Sequence, residues 1–294
     1  MPRLEREFLL LFSPRESILL VFYSKGQKAT TMEVFDSHAH IYPEKIATRA
    51  SDAIGKFYDL EMDCNGTAES LLRLGKEAGI SRFVVHSVAT NARQVSHIND
   101  FICAEKEKHP EFIPFMALHQ DMSEEEIDEE VALRVKQGFY GIKLHPDFQK
   151  FAINSEEGKK LYRVVGGRLP FLLHTGDVRY NYSHPSFMAE AAREFPETRF
   201  IGAHFGGWSC WRDAHVYYKG LDNVFFDTSS SLYAMDRETS AALIRCLGAD
   251  RFFFGTDYPM WKPVEEVQRF LALPLTQTEK EKILAENLKL FLKI

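Results

Sequence analysis

Short apolar runs recur along the chain and predict a series of buried strands. Each run ends in polar or small residues, and longer mixed segments separate one run from the next. The runs are rich in Phe, Val, Ile and Leu, as expected for strands that are buried on both faces. The eight runs are Val34–His40, Arg82–Ala89, Phe112–His119, Gly141–Asp147, Pro170–Gly176, Arg199–Gly207, Val224–Ser230 and Arg251–Pro259.

The segments between the runs have helical periodicity. After the third run, Ser123 and Glu126 form a capping box, which is followed by Ile127, Val131 and Val135 at four-residue spacing. Two further amphipathic segments are predicted, one around Leu161, Val164 and Val165 and one that begins at a capping box of Thr278 and Glu281. Strands that alternate with helices pair in parallel through right-handed crossovers. Eight such units favour a single α/β domain, a closed (β/α)₈ TIM barrel, over an open doubly wound sheet.

The first 31 residues stand outside this pattern. Their two apolar runs, Phe8–Phe12 and Ile18–Tyr23, are shorter than the roughly 18 residues that a membrane span needs. No small-residue cleavage site follows a continuous apolar stretch, which argues against a signal peptide. Met32 directly precedes the first predicted strand. We therefore expect residues 1–31 to be an N-terminal extension and residues 32–294 to be the barrel.

Composition and charge narrow the choice of partners. The chain has 294 residues, 45% hydrophobic and 27% charged, as in an ordinary globular protein with a large core. The net charge of −6 gives no general attraction to nucleic acid or to an anionic membrane. The four cysteines form no CxxC pair, which is typical of reduced thiols in a cytoplasmic protein. A small-molecule substrate is the partner that we expect.

Histidines are concentrated in the predicted strands, which contain seven of the eleven. In His38-Ala39-His40 the two histidines are two residues apart, so that on a strand both face the same side and can converge on one ion. His174, His204 and Asp257 lie toward the matching ends of later strands. Barrel enzymes place their chemistry at these carboxyl ends, and neutral imidazole suits zinc, iron, nickel or cobalt. The pattern therefore predicts a metal site.

Five motifs in this order resemble the amidohydrolase superfamily. More narrowly, they resemble the amidohydrolase-related branch that includes aminocarboxymuconate-semialdehyde decarboxylase and the resorcylate-type decarboxylases. The motifs are Phe35-Asp-Ser-His-Ala-His-Ile-Tyr-Pro, Gly141-Ile-Lys-Leu-His-Pro, Leu173-His-Thr-Gly, Ala203-His-Phe-Gly-Gly and Phe254-Gly-Thr-Asp-Tyr-Pro. The resemblance runs from about Val34 to the C-terminus.

The resemblance implies a metal centre and its ligands. The family's metal ligands correspond to His38, His40, His174 and Asp257, which would hold one divalent ion, with zinc expected. His204 corresponds to the histidine that acts on bound water or substrate, or that binds a second ion in two-metal members. Those members carry a bridging carboxylated lysine at the position of Lys143, so that a second ion could be held by Lys143 and His204. The presence of His145 two residues after Lys143 departs from the decarboxylase pattern.

The function expected from these parts is hydrolysis of a small organic molecule, with metal-activated water as the nucleophile. The catalytic residues would be Asp257, which accepts and passes on a proton, and His204, which orients the water or donates to a developing oxyanion. Lys143, His145 and Arg179 would bind the substrate. For His145 a structural role, and for Arg179 a solvated loop charge, are the alternatives.

Three other functions are weighed against hydrolysis. The first is non-oxidative, metal-dependent decarboxylation of a small unsaturated or aromatic carboxylic acid, which uses the same metal to hold a carboxylate. The second is a metal-dependent deoxyribonuclease, but such enzymes have a glutamate where this chain has Lys143 and His145. The third is a barrel without chemistry, which the intact set of candidate ligands opposes. The family also implies a possible homodimer.

Overall fold

The computed structural model describes the backbone of residues 8–13, 16–22 and 30–294 and the side chains from Met32 onward. The strands β1 (Phe8–Ser13), β2 (Glu16–Phe22) and β3 (Thr30–Thr31) form an antiparallel sheet of their own. The sequence predicted no element here. The prediction that residues 1–31 are an extension lies partly outside the described residues and stays a prediction.

Eight parallel strands in the described part of the chain form the barrel. They are β4 (Phe35–His40), β5 (Arg82–His86), β6 (Phe112–Ala117), β7 (Gly141–Leu144), β8 (Phe171–Leu173), β9 (Phe200–Gly202), β10 (Val224–Asp227) and β11 (Phe252–Phe253). They lie side by side in sequence order. The prediction of a single-domain (β/α)₈ barrel is confirmed.

The barrel closes between β4 and the segment after β11. Ser37 N donates to Phe254 O at 2.8 Å, and His40 N donates to Tyr258 O at 2.7 Å. Asp257 N in turn donates to His38 O at 2.9 Å. These hydrogen bonds bring Asp257 beside the two histidines of β4.

Helices follow most strands and cover the outside of the barrel. The helices are α1 (Glu44–Tyr58), α2 (Ala68–Glu77), α3 (Val95–Lys108), α4 (Glu124–Lys136), α5 (Pro146–Gln149), α6 (Glu156–Val165), α7 (Pro185–Glu194), α8 (Trp211–Ala214), α9 (Arg237–Leu247), α10 (Pro263–Leu271), α11 (Gln277–Glu281) and α12 (Asn287–Leu292). A π-helical turn, Lys282–Glu286, joins α11 to α12. Among the described residues, no helix is both long and apolar enough to cross a bilayer.

Two boundary predictions were wrong in informative ways. The capping box at Ser123 and Glu126 is present, but that of the last helix is formed by Thr276 and Glu279 rather than by Thr278 and Glu281. The segment Thr276–Glu281 contains both spacings, so sequence alone did not separate them. Most strands also end earlier than predicted, because their last polar residues already belong to loops or short helices. His145, expected on the strand face of Lys143, instead caps the N-terminus of α5.

The C-terminal helical segment plugs the amino-terminal end of the barrel. Leu288, Phe291 and Leu292 of α12 belong to one buried cluster with inward-facing strand residues such as Phe35 and Phe253. A larger cluster fills the space between strands and helices. Because this end is filled, a functional site is expected at the opposite end, where the strands end.

A buried carboxyl on α10 makes stability depend on pH. Glu266 is fully buried and contacts Arg269 with Oε1, and within the described ranges its Oε2 has no hydrogen-bond partner. Burial raises its pKa from 4.5 to about 7. Below pH 4.5 Glu266 is protonated in both the folded and the unfolded chain, so that it does not change the free energy of unfolding. Above that pH the carboxyl ionises first in the unfolded chain, which favours unfolding. Stability should therefore fall by on the order of 3 kcal/mol as pH rises from 4.5 to 7.

Glu266→Gln is expected to remove this pH-dependent loss. Urea unfolding at pH 5 and pH 8 should show a smaller difference in the free energy of unfolding for the variant than for the wild type. Glu265→Gln, a partly exposed neighbour on the same helix, is the matched control and should keep the wild-type difference. If Glu266→Gln shows the same difference in the free energy of unfolding between pH 5 and pH 8 as the wild type, Glu266 is not the source of the pH dependence.

Candidate metal centre

The two histidines of β4 converge as their spacing predicts. His38 is fully buried and His40 nearly so, and both line the cavity at the carboxyl end of the barrel. Their Nε2 atoms are 3.3 Å apart. Period-two alternation along the strand accounts for this convergence.

Asp257 completes a triad with these histidines. Its Oδ1 lies 3.4 Å from His38 Nε2 and 3.5 Å from His40 Nε2. Tetrahedral sites with bonds of about 2.0–2.2 Å place their ligand atoms about 3.3–3.6 Å apart. The backbone φ of Asp257 is 59°, in the left-handed region. Residues with such strained backbone angles are often found at functional sites. The three atoms fit the first coordination shell of one divalent ion.

Asp227 and Ser229 orient His38, and the sequence analysis missed both. Asp227 Oδ2 lies 2.8 Å from His38 Nδ1, which places the proton on Nδ1 and the lone pair on Nε2, and Oδ1 accepts from His204 N at 2.9 Å. Burial alone would raise the pKa of Asp227, but His38, His204 and Ser229 outweigh it and lower that pKa to about 2. A carboxylate behind a ligating histidine fixes its tautomer and raises its basicity. The only signal in the sequence was the place of Asp227 at the end of a strand.

His174 and His204 form a second pair beside the triad. His204 Nδ1 lies 3.0 Å from Ser229 O, which can only accept, so that His204 Nε2 accepts from His174 Nδ1 at 3.0 Å. Gly176 lets the backbone segments that follow these two histidines pack closely. A Cβ at Gly176 would lie 2.4 Å from the carbonyl carbon of Gly207. His174 Nε2 faces Asp147 Oδ2 at 3.7 Å. The predicted donor role of His204 toward substrate therefore requires this pair to rearrange.

The three predicted substrate-binding residues have different positions. Lys143 is buried, with Nζ 3.0 Å from His38 Nε2, and burial lowers its pKa to about 8. His145 also lines the cavity, stacked between the rings of Phe148 at 3.7 Å and His174 at 4.1 Å.

Arg179 lies at the rim, outside the residues that line the cavity. It makes two hydrogen bonds to the Asp177 carboxylate and one of 2.8 Å to Phe57 O at the end of α1. Its guanidinium also lies over the rings of Phe57 and Tyr58. The structure therefore gives Arg179 a role in holding α1, and its predicted contact with substrate stays a prediction.

Burial holds four imidazoles at and beside the centre in the neutral form. Burial lowers the pKa values of His40 and His204 to about 4, and it lowers those of His145 and His174 well below the ordinary value. The pKa of Asp257 is well below its usual range, because His38, His40 and His204 outweigh the opposing effect of burial. Neutral imidazole and ionised carboxylate are the forms that ligate metal ions.

Other groups of close donors adjoin the triad. His86 packs edge-on against the rings of His38 and His40. His38, His204 and Asp227 form a second group, and Asp147, His174 and Asp177 a third. In the second group the carboxylate already accepts from His38, and in the third Asp177 is bound by Arg179. In both groups one carboxylate is thus already engaged, whereas the three ligand atoms of the triad lie 3.3–3.5 Å from one another at the cavity.

The chain belongs to the amidohydrolase family, because the family model described as amidohydrolase matches residues 35–289. This confirms the membership expected from the motifs. No curated protein matches the sequence. The family and the converging donors identify the chain as an enzyme of the amidohydrolase superfamily with a site for a divalent metal ion.

Solved structures share the fold. An uncharacterized TIM-barrel protein from Bordetella bronchiseptica is 20% identical, with a TM-score of 0.73 over 89% of this chain and 99% of that one. A dihydroxybenzoic acid decarboxylase from a Polaromonas species, with bound manganese and the inhibitor 2-nitroresorcinol, is 17% identical, with a TM-score of 0.66 over 90% and 97%. The 5-carboxyvanillate decarboxylase from Sphingomonas paucimobilis is 12% identical, with a TM-score of 0.67 over 90% and 100%. At these identities the likeness establishes the fold.

Proposed function

We propose that this enzyme is a metal-dependent, non-oxidative decarboxylase of a small aromatic carboxylic acid. The observation that carries the proposal is the triad of His38, His40 and Asp257 at the base of a cavity with aromatic walls. Solved structures of similar fold include decarboxylases of dihydroxybenzoic acid and 5-carboxyvanillate. From the sequence this function was the second candidate, after hydrolysis, and the solved structures of similar fold favour it.

The residues of the centre suit a divalent ion that binds a carboxylate. His38, His40 and Asp257 would hold the ion, and His174 is the fourth ligand that the family resemblance implies. When bound, the ion supplies a positive charge that attracts and polarises the substrate carboxylate. Zinc is the metal expected from the sequence, and manganese is bound in the Polaromonas relative, so both belong in the test.

Asp257 has the contacts needed to move a proton. Its Oδ1 faces the histidines, and its Oδ2 accepts from the Ser230 hydroxyl. The carboxylate can take a proton from a substrate hydroxyl and return it to the ring carbon. This proton forms the new carbon–hydrogen bond. The carbon–carbon bond breaks with its electron pair returned to the ring, so that carbon dioxide departs and the product leaves as a phenolate. Lys143, buried and cationic near neutral pH, balances the negative charge of the substrate.

The cavity walls match a flat apolar ring. Tyr58, Phe148 and Trp208 contribute aromatic surfaces, and Met62 and Met260 contribute thioethers. Such walls exclude water and bind by surface burial, while the triad fixes the charged end of the ligand. The arrangement favours an aromatic acid over a long or highly polar substrate.

The direct test is decarboxylation in deuterated water. Protein loaded with zinc or with manganese is incubated with 2,6-dihydroxybenzoate, and carbon dioxide and resorcinol are measured. One deuterium at the carbon that lost the carboxylate is expected, and no product should form after the metal is removed. If aromatic acids stay intact while amides, lactones or esters are cleaved, the proposal is wrong.

Hydrolysis is the second candidate, favoured by one observation. Lys143 Nζ lies 3.0 Å from His38 Nε2, where a carboxylated lysine could share an ion with that histidine. A carboxylated Lys143 would be detected as an added mass of carbon dioxide by native mass spectrometry, together with two ions per chain. One ion and an unmodified lysine are expected for the decarboxylase.

A further inference from the structure

Helix α1 carries an aromatic side chain into the metal-site cavity. Tyr58 is the last residue of α1 and lines the cavity with the triad. The chain turns back tightly after it, and Gly55 makes this possible, since a Cβ there would lie 2.6 Å from Leu60 O and 3.0 Å from Met62 Cγ. Arg179 holds the same end of the helix through Phe57 O. Tyr58 is therefore set in place by contacts on both sides.

The hydroxyl of Tyr58 has one hydrogen-bond partner among the described residues, His145. The distance from Tyr58 Oη to His145 Nε2 is 2.8 Å. His145 Nδ1 accepts from Phe148 N at 3.3 Å, as the N-cap of α5. A backbone N–H can only donate, so that Nδ1 carries a lone pair. Neutral His145 then has its proton on Nε2 and donates it to Tyr58 Oη.

This direction of donation leaves the hydroxyl proton of Tyr58 without an acceptor in the described part of the chain. A histidine with a proton on both nitrogens could not accept from Phe148 N, so the N-cap contact of His145 itself fixes this direction. The cavity that Tyr58 lines is also where a ligand would lie. Tyr58 is half-buried, so its hydroxyl proton is directed to whatever occupies the cavity, and a ligand oxygen there would accept it.

We propose that Tyr58 is a specificity-determining residue that donates a hydrogen bond to an oxygen substituent on the substrate ring. His145 is its positioning residue, because it accepts from α5 and donates to the phenol. The inference rests on the proposed function and adds the residue that would recognise a ring oxygen of such an acid. The carboxylate and the hydroxyl that gives its proton to Asp257 stay with the triad, and a second ring oxygen goes to Tyr58.

The test compares two acids that differ only in ring oxygens, 2,6-dihydroxybenzoate and benzoate. Their dissociation constants are measured by titration calorimetry on manganese-loaded wild type and on Tyr58→Phe, which keeps the ring and removes the hydroxyl. The preference for the dihydroxy acid should fall about 5- to 10-fold in the variant, with benzoate binding unchanged. Tyr180→Phe is the matched control, because Tyr180 is 40% exposed and lies outside the cavity lining, and it should keep the wild-type preference.

A second measurement tests the donor direction without any substrate. Nitrogen-15 chemical shifts of histidine in the zinc-loaded protein report which ring nitrogen carries the proton, and His145→Asn identifies the His145 signals. A proton on Nε2 is expected, and a proton on Nδ1 would overturn the inference. If wild type binds or decarboxylates the dihydroxy acid but Tyr58→Phe keeps the full preference, the inference fails and the proposed function stands. If wild type binds neither acid, both are wrong.

Discussion

Replacing Asp257 with asparagine is expected to reduce metal affinity by on the order of 100-fold or more and to abolish turnover. The substitution removes the negative charge whose Oδ1 lies 3.4 and 3.5 Å from the two histidine nitrogens. It also removes the group assigned to proton transfer. Asparagine tolerates the left-handed backbone at this position, where φ is 59°, so the fold should persist. Metal content after dialysis, measured by plasma mass spectrometry, tests the first effect, and product formation tests the second.

The control for this substitution is Asp52→Asn, an exposed carboxylate on α1. It changes the net charge by the same amount and should keep both metal and activity. An Asp257→Asn protein that retains its metal and its turnover would contradict the assignment of the triad.

Asp227→Asn is expected to weaken metal binding by about 10- to 100-fold without removing any ligand. The carboxylate lies 2.8 Å from His38 Nδ1, and an amide there can offer a donor where His38 needs an acceptor. His38 would then present the wrong tautomer to the ion. Competition with a chelator of known affinity measures the loss. Asp222→Asn, exposed and just before the same strand, is the matched control and should bind metal normally.

Asp227→Asn should also change how the free energy of unfolding depends on pH in the acid range. The pKa of Asp227 is lowered from 3.8 to about 2, so that its contribution is fully present above about pH 4 and is lost as the pH falls toward 2. The contribution is on the order of 2 kcal/mol. Acid unfolding monitored by circular dichroism should show a weaker dependence on pH between 4 and 2 in Asp227→Asn. An identical dependence in the two proteins would contradict this contribution.

The sequence predicted the parts of the site that follow from strand periodicity. His38 and His40 share a strand face because two residues separate them, and Asp257 comes to the same edge because the carboxyl ends of parallel strands meet there. The eight strands could also be predicted, because strands that are buried on both faces are apolar along their length.

Other features depended on contacts that no local pattern records. Asp227 contacts a histidine 189 positions away, and Tyr58 reaches the cavity from a helix rather than from a strand end. His145 looked like a strand residue but begins α5, because Pro146 at the next position favours a helix start. For Arg179, substrate binding and a solvated loop charge were the two readings, and the structure adds hydrogen bonds to Asp177 and to Phe57 O that no local pattern predicts.

The central claim is that His38, His40 and Asp257 hold one catalytic divalent ion. Crystals of the manganese-loaded protein, measured at a wavelength where manganese scatters anomalously, test it most directly. The account predicts one anomalous peak per active site, within bonding distance of His38 Nε2, His40 Nε2 and Asp257 Oδ1. A peak bound by other residues with none at the triad, or a fully loaded second peak between Lys143 and His204, would contradict it.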